Sequence, residues 1–347
     1  MAPVTNGRLL FNEIPTGYPE PGKTTIYDTS QTIDLEDVPL DGGVLIKILV
    51  LSSDPYLRGR MRDAKIETYS ASFQLGKPIE NFGFGVILRS EDPAFKRGDH
   101  VFSRKLPFQH YSVFKKEELG TLRVLKNEYK NLPWSVYIGV CGMPGATAYM
   151  GWKEYAHPKK GEVAYVTAGS GAVGGLVLQL AKADGLKVIA SAGTDKKVAY
   201  LRELGADVAF NYKTVPVNKV LQKEGPIDIY WDNVGGESFE AAITAANRLA
   251  RFIECGTISG YNIQTPYHVK NLGLIVGKEL QISGFVLSTL YAKYKEQFYK
   301  EIPKKVASGE IKYSEDVTEG LENAGEAILD VQLGRNNGKK IIRVANE

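Results

Sequence analysis

Two hydrophobic rhythms divide the chain. Over residues 1–130 short apolar runs, such as 44–50 (VLIKILV) and 84–88 (FGVIL), are separated by turn-forming clusters: PEPG at 19–22, DGG at 41–43 and KRGD at 96–99. Runs of that length bounded by Pro, Gly and Asp predict strands of an irregular β domain. From about residue 160 the period lengthens. An apolar run at 163–167 leads through a glycine-rich turn into 172–183, where Val173, Leu176, Val177, Leu180 and Ala181 share one helical face and Gly185 supplies the stop. A strand is expected at 187–192, followed by a helix that Thr194 or Asp195 caps, that carries Val198, Leu201 and Leu204, and that ends at Gly205. Further short strands are expected at 207–210, 227–231, 251–255 and 280–285. Alternation of short apolar strands with helices predicts a parallel α/β sheet, doubly wound when the crossovers are right-handed. A charged helical stretch at 299–308 and a strand at 339–344 close the chain. Periodicity leaves open whether this tail extends the second domain or returns to the first.

One turn in this pattern carries chemistry. Gly169-Ser170-Gly171-Ala172-Val173-Gly174 matches GxGxxG, a motif that a chain with 36 glycines also produces as an ordinary flexible turn. Its context gives it a mechanism: it follows an apolar strand, opens a helix with a coherent apolar face, and lies in a βαβ unit over 163–192. The first glycine permits the tight turn, the second lets backbone approach a pyrophosphate, and the third lets the helix pack on the strand. Unsatisfied N–H groups at the helix start then bind the anion. The second strand, KVIASA at 187–192, ends without a carboxylate, and Thr194, Lys196 and Lys197 follow it. A missing acid with hydroxyl and ammonium groups in its place favours the 2′-phosphate of NADP(H). The alternative has both lysines solvated and Asp195 on the ribose.

Composition narrows the field. At ~150 residues per domain, 347 residues predict two domains, and a chain this long buries about three quarters of its unfolded surface without staples. Forty-three basic against 40 acidic residues leave +3, too balanced for nucleic acid as a main partner. No run of eighteen apolar residues occurs, and the opening MAPVTNGRLLFNEIPTG lacks the basic and apolar regions of a secretory leader. A cytoplasmic protein without a membrane partner is expected. Zinc would need converging Cys, His or carboxylate ligands. His100, His110, His157 and His268 are unpaired in spacing, and Cys141 and Cys255 lie far apart, so packed thiols and no metal are expected. A hydride donor and a hydroxyl-bearing residue would suffice for catalysis.

The ordered motifs then assemble. Ser53-Asp54-Pro55-Tyr56-Leu57-Arg58-Gly59-Arg60-Met61, Gly142-Met143-Pro144-Gly145-Ala146-Thr147-Ala148-Tyr149, the glycine turn, Phe210-Asn211-Tyr212-Lys213, Asp232-Asn233-Val234-Gly235-Gly236, Cys255-Gly256-Thr257-Ile258-Ser259-Gly260-Tyr261-Asn262 and Gly334-Arg335-Asn336-Asn337-Gly338-Lys339 span nearly the whole chain. In them the chain resembles the zinc-independent medium-chain dehydrogenase/reductases of the alkenal/one double-bond reductase group, which includes 2-alkenal, leukotriene/prostaglandin and curcumin reductases. The resemblance implies a GroES-like β domain from 1–130 and 310–347 and a Rossmann doubly wound parallel sheet, the NADPH-binding domain, over 131–309. It implies a small-molecule enal or enone substrate and a homodimer. Gly169, Gly171, Ala172, Val173 and Gly174 would face the pyrophosphate and Lys197 the 2′-phosphate. Tyr212 and Asn233 match positions around the adenosine half and its ribose. Cys255, Ser259 and Tyr261, with Phe285 and Leu287, match the nicotinamide side, and Asn336 matches an asparagine that reaches the cofactor from the tail. Gly260 stands where relatives commonly carry a larger polar residue.

The implied reaction adds hydride to the β-carbon of an activated C=C bond and leaves charge on the carbonyl oxygen. Tyr261 resembles the family tyrosine that donates a hydrogen bond to that oxygen; a phenol, with an ordinary pKa of about 10, serves better as donor than as acid. Tyr56 resembles a substrate-contacting pocket tyrosine. Arg58, Arg60 and Arg62 read either as a solvated strand edge or as positioning a loop or an anion. A carbonyl or quinone reductase using the same cofactor, and a nucleotide-binding protein without turnover, are the competing readings.

Overall fold

In the computed structural model residues 2–347 are described, and they form two compact units: the chain up to Ile138 with Glu315–Glu347, and Gly139–Ser314. The breaks fall beyond the expected 130 and 310. The turn Trp134–Ile138 packs on the first unit's strands, and Glu315–Glu319 is itself a strand of that unit.

In the first unit the long strand Val44–Ser52 is central, buried at all but one position. It pairs with Glu80–Ser90 on one side, with Tyr111–Phe114 in its first half and with the tail strand Lys339–Arg343 in its second, all antiparallel. The tail therefore returns to this unit, and Glu315–Glu319 adds outside it as a parallel partner. The resulting seven-stranded sheet buries Ile46, Ile48, Leu51, Phe108 and Ile342 in one core with Ala324, Ala327 and Ile328 of the helix Ala324–Gln332. Strand burial on both faces explains why VLIKILV runs apolar rather than alternating.

The second unit is a six-stranded, all-parallel sheet. Its spatial order is Val208–Asn211, Lys187–Ala192, Val163–Val166, Ile227–Asp232, Ala246–Glu254, Gln281–Gly284. Helices Ala172–Ala183, Asp195–Glu203, Val217–Glu224 and Gly236–Ala245 make the crossovers. This is the Rossmann arrangement, and with the antiparallel first unit it gives a GroES-like plus Rossmann fold. Two readings from periodicity change. The buried stripe of Ala172–Ala183 runs through Gly174, Leu176, Val177, Leu178 and Ala181, with Val173 and Leu180 half-buried. The helix expected at 299–308 begins far earlier, spanning Leu287–Ala307, because only Leu290, Phe298, Ile302, Pro303 and Val306 are buried along its length. The helix Met143–Tyr155 has no polar face for periodicity to reveal, being buried from Pro144 to Ala146 and from Ala148 to Trp152.

Candidate active site

The sheet of the second unit grows outward in both directions from Val163–Val166, so its strand order reverses between that strand and Ile227–Asp232. In such sheets ligands bind beyond the carboxyl ends at the reversal. The sequence-selected residues of this unit all stand there: Gly169 to Gly174 after the first strand, Lys197 after the second, Tyr212 after the third. Asn233 follows the fourth strand, Cys255, Ser259 and Tyr261 the fifth, and Phe285 and Leu287 the sixth.

The glycine turn is built for close approach, though not quite as its spacing implies. Its left-handed residue is Ala168, with φ 48°, whereas no motif glycine has a positive φ. Gly174 and Gly169 are needed for space instead. A Cβ on Gly174 would lie 2.6 Å from the Ala168 carbonyl oxygen and 2.9 Å from Gly169 Cα; one on Gly169 would meet Leu201 at 2.9 Å. Gly171 is the N-cap of Ala172–Ala183 and has no side chain to accept from the first N–H groups of the helix. A cradle of backbone donors with no room for a Cβ at Gly169 or Gly174 fits a pyrophosphate.

At the second strand end Thr194 Oγ1 accepts from Lys197 N at 3.3 Å, and Lys197 is buried in the first turn of its helix. Asp195, the alternative ribose ligand, accepts from Asn211 Nδ2 at 3.0 Å. Lys213 was not singled out from the sequence, yet a Cβ on Gly193 would touch its Cε at 3.3 Å and the Tyr212 hydroxyl at 3.1 Å. Lys213 and the exposed Tyr212 thus lie beside Gly193 at the end of the second strand, and Lys197 follows in the first turn of the next helix.

At the fourth and fifth strand ends the backbone is zipped together. Asn233 Nδ2 donates to Thr167 O at 2.6 Å, and Ile258 N and Ser259 N donate to Asn233 O and Val234 O at 3.3 and 3.1 Å. Ser259 Oγ adds a bond to Val234 O at 2.6 Å. Tyr261 folds back over this segment, its hydroxyl accepting from Thr257 N at 3.4 Å. Burial and the carboxyls of Asp232 and Glu254 push the Cys255 thiol up to about 12, so it stays protonated and is no nucleophile. Phe285 packs edge-on against Trp231, with ring centroids 5.9 Å apart.

Tyr56 and Asn336 lie in the first unit. The Tyr56 hydroxyl donates to Asn81 Oδ1, and burial raises its pKa well above the ordinary phenol value. Asn81 Nδ2 in turn donates to Asp54 Oδ2 at 2.9 Å, and Asp54 is paired with the buried Lys339 at 2.9 Å. Asn336 Nδ2 donates to Gly338 O at 2.7 Å. The three arginines clasp loops: Arg58 donates to Pro15 O and Gly17 O, Arg60 to Ala71 O and Glu80, and Arg62 to Gly59 O, Ile66 O and Ser70 O. Loop positioning is therefore their role. Among the described residues no group of three or more His, Cys, Asp or Glu side chains is arranged to hold a metal ion, and no helix is long and apolar enough to cross a membrane.

This fold and this site define a pyridine-nucleotide oxidoreductase class, and comparison with known proteins gives the family. Residues 172–304 match the zinc-binding dehydrogenase family model and residues 8–122 the N-terminal domain of oxidoreductase. A zinc-type alcohol dehydrogenase-like protein of Schizosaccharomyces pombe is 42% identical over 95% of both chains. The NADP(+)-dependent 2-alkenal reductase of Nicotiana tabacum is 39% identical over 99% of both. The crystal structure of CurA in complex with NADPH from Vibrio vulnificus superposes with a TM-score of 0.87 at 29% identity, covering 98% of this chain and 100% of that one. The chain belongs to the zinc-independent medium-chain dehydrogenase/reductase family, in its alkenal/enone reductase group.

Proposed function

We propose that this protein reduces the activated C=C bond of α,β-unsaturated aldehydes or ketones with NADPH. The observation that supports the proposal is that a glycine turn with no room for a Cβ at Gly169 or Gly174, a buried lysine and Tyr261 all stand at the carboxyl ends of one parallel sheet with a strand-order reversal. Bound NADPH supplies the hydride. Backbone N–H groups of 172–174 would hold the pyrophosphate, Lys197 and Lys213 the 2′-phosphate, and Tyr212 and Asn233 the adenosine half and ribose. Cys255, Ser259, Phe285 and Leu287 would line the nicotinamide side.

Hydride addition at the β-carbon moves charge to the carbonyl oxygen, and Tyr261 donates a hydrogen bond to that oxygen as the charge grows. Accepting from Thr257 N polarises its phenol and strengthens it as a donor. Tyr56, a buried phenol that donates to Asn81, stays neutral and is a candidate substrate contact of the first unit. The protein is further proposed to be a homodimer joined at Gln281–Gly284. That strand is an uncovered sheet edge with Ile282 exposed, and Leu272, Leu274 and Val276 are exposed just before it.

Incubation of the protein with NADPH and a panel of enals and enones, followed by product identification, tests the assignment. Saturated aldehydes and ketones are expected. Allylic alcohols would replace it with carbonyl reduction, and NADPH binding without oxidation of the cofactor would replace it with a non-catalytic nucleotide-binding role.

A further inference from the structure

Three buried polar atoms near the strand-order reversal have no hydrogen-bond partner: Asp232 Oδ2, Glu254 Oε1 and the Tyr230 hydroxyl. In-register parallel pairing sets Asp232 directly opposite Glu254 at the carboxyl ends of adjacent strands, and Tyr230 lies two residues back on the same face. Orphaned buried atoms are rare, and three on one face need an explanation.

The other half of Asp232 is fully used. Its Oδ1 accepts from Thr167 Oγ1 at 3.0 Å, Val234 N at 2.8 Å and Gly235 N at 2.9 Å, and its carbonyl accepts from Cys255 N and Gly256 N at 2.9 and 3.1 Å. Asp232 is therefore the joint between the Asn233–Gly235 turn and the segment leading to Tyr261. Three donors on one oxygen favour its charged form, and two adjoining carboxylates out of water cannot both ionise, so the proton belongs to Glu254. Burial and the neighbouring Asp232 charge push the Glu254 carboxyl up to about 9.

We infer that Glu254 is a positioning residue which stays protonated at neutral pH, donates a hydrogen bond to Asp232 Oδ2, and thereby holds the Asn233–Gly235 turn and sets the alkaline limit of dinucleotide binding. The binding half of this inference rests on the function proposed above, whereas the shared proton does not. A carboxylic acid bridging to Asp232 also gives both orphaned carboxyl oxygens a partner.

Among the described residues no cation forms an ion pair with Asp232 or Glu254. On its own strand Arg251 pairs with Glu162 at 2.6 Å, and Cys255 is a neutral thiol. Tyr230 and Tyr165 on the inner strands have phenols raised by burial, and the outer strand Gln281–Gly284 has no ionisable side chain. On the helix Gly236–Ala245, Glu237 is exposed and Glu240 accepts from Lys270 N at 2.8 Å. On Met143–Tyr155, Lys153 lies over the Tyr149 ring and Glu154 pairs with Lys293 at 2.6 Å.

Two measurements on the whole protein test this. The first is an infrared difference spectrum, wild type minus Glu254→Gln, taken without nucleotide across pH 6 to 10. The second is the NADPH dissociation constant over the same range for wild type, Glu254→Gln and Glu254→Leu, with circular dichroism as the folding control. A protonated carboxyl band at neutral pH that disappears near pH 9 is expected. Wild-type affinity should fall by about tenfold or more through that midpoint, while Glu254→Gln, which still donates to Asp232 but does not titrate, stays nearly flat. Glu254→Leu should bind weakly at every pH. Absence of the band, parallel alkaline loss in wild type and Glu254→Gln, or wild-type affinity in a folded Glu254→Leu would each overturn the inference. A band titrating as expected in a protein that binds no NADPH would overturn the binding half alone, and with it the proposed function.

Discussion

Single residues set the chemistry of the site. If Tyr261 is the main donor to the enolate oxygen, Tyr261→Phe lowers kcat by about 10²-fold or more and leaves NADPH affinity within error, as steady-state kinetics with a matched binding titration will show. If Lys197 holds the 2′-phosphate as proposed, Lys197→Ala weakens NADPH by about 10- to 100-fold while NADH binding, which has no such phosphate, hardly changes. Both are candidates the sequence itself offers: Tyr261 through the Cys255–Asn262 motif, and Lys197 through its match to the family lysine, with the missing carboxylate favouring a cation near it. Lys213, Asp232 and Glu254 are not. Lys213 reaches Gly193 from the end of the neighbouring strand, and the carboxyl pair forms only through the register of two strands, so neither contact has a signature in local spacing. The glycine turn was legible as a cradle, but its bend is taken by Ala168, because a short non-glycine residue tolerates φ 48° here while Gly169 and Gly174 are kept for clearance.

Elements carry those residues to one place. The βαβ unit over 163–192 was readable to within a residue because its strands are short apolar runs and its helix ends on a glycine in the left-handed region, Gly185 at φ 82°. Met143–Tyr155 was not readable as a helix, since burial on nearly every side erases a period of 3.6. The outer strand Gln281–Gly284 makes the opposite point, showing Ile282 to solvent where a parallel sheet is normally covered. If a second copy covers that edge, Ile282→Lys yields a monomer in sedimentation equilibrium with nucleotide affinity retained. A wild type already monomeric at micromolar concentration would remove the dimer.

At the scale of the whole molecule, buried ionisable groups bear on stability in both units. The Asp54–Lys339 pair joins the tail strand to the Asp-Pro-Tyr segment, with each side chain about 5% exposed or less. Lys339→Met strands a buried carboxylate and should cost about 3–5 kcal/mol in denaturant unfolding, with Lys339→Arg costing less. Glu254 acts on pH dependence in the other sense. Its folded pKa of about 9 lies above the ordinary 4.5, so its stabilising contribution is complete below the lower value, declines as pH rises between them and is gone above the higher. Melting temperatures followed across pH should therefore fall less steeply toward alkali in Glu254→Gln than in wild type.

The reaction itself is read from where the hydrogen goes. Turnover of an α,β-unsaturated ketone with NADPH deuterated at the transferred position, followed by NMR of the product, places the label. The site described here predicts deuterium on the former β-carbon of a saturated ketone. Deuterium on the carbinol carbon, or a ketone recovered unlabelled from a protein that binds NADPH, would contradict it.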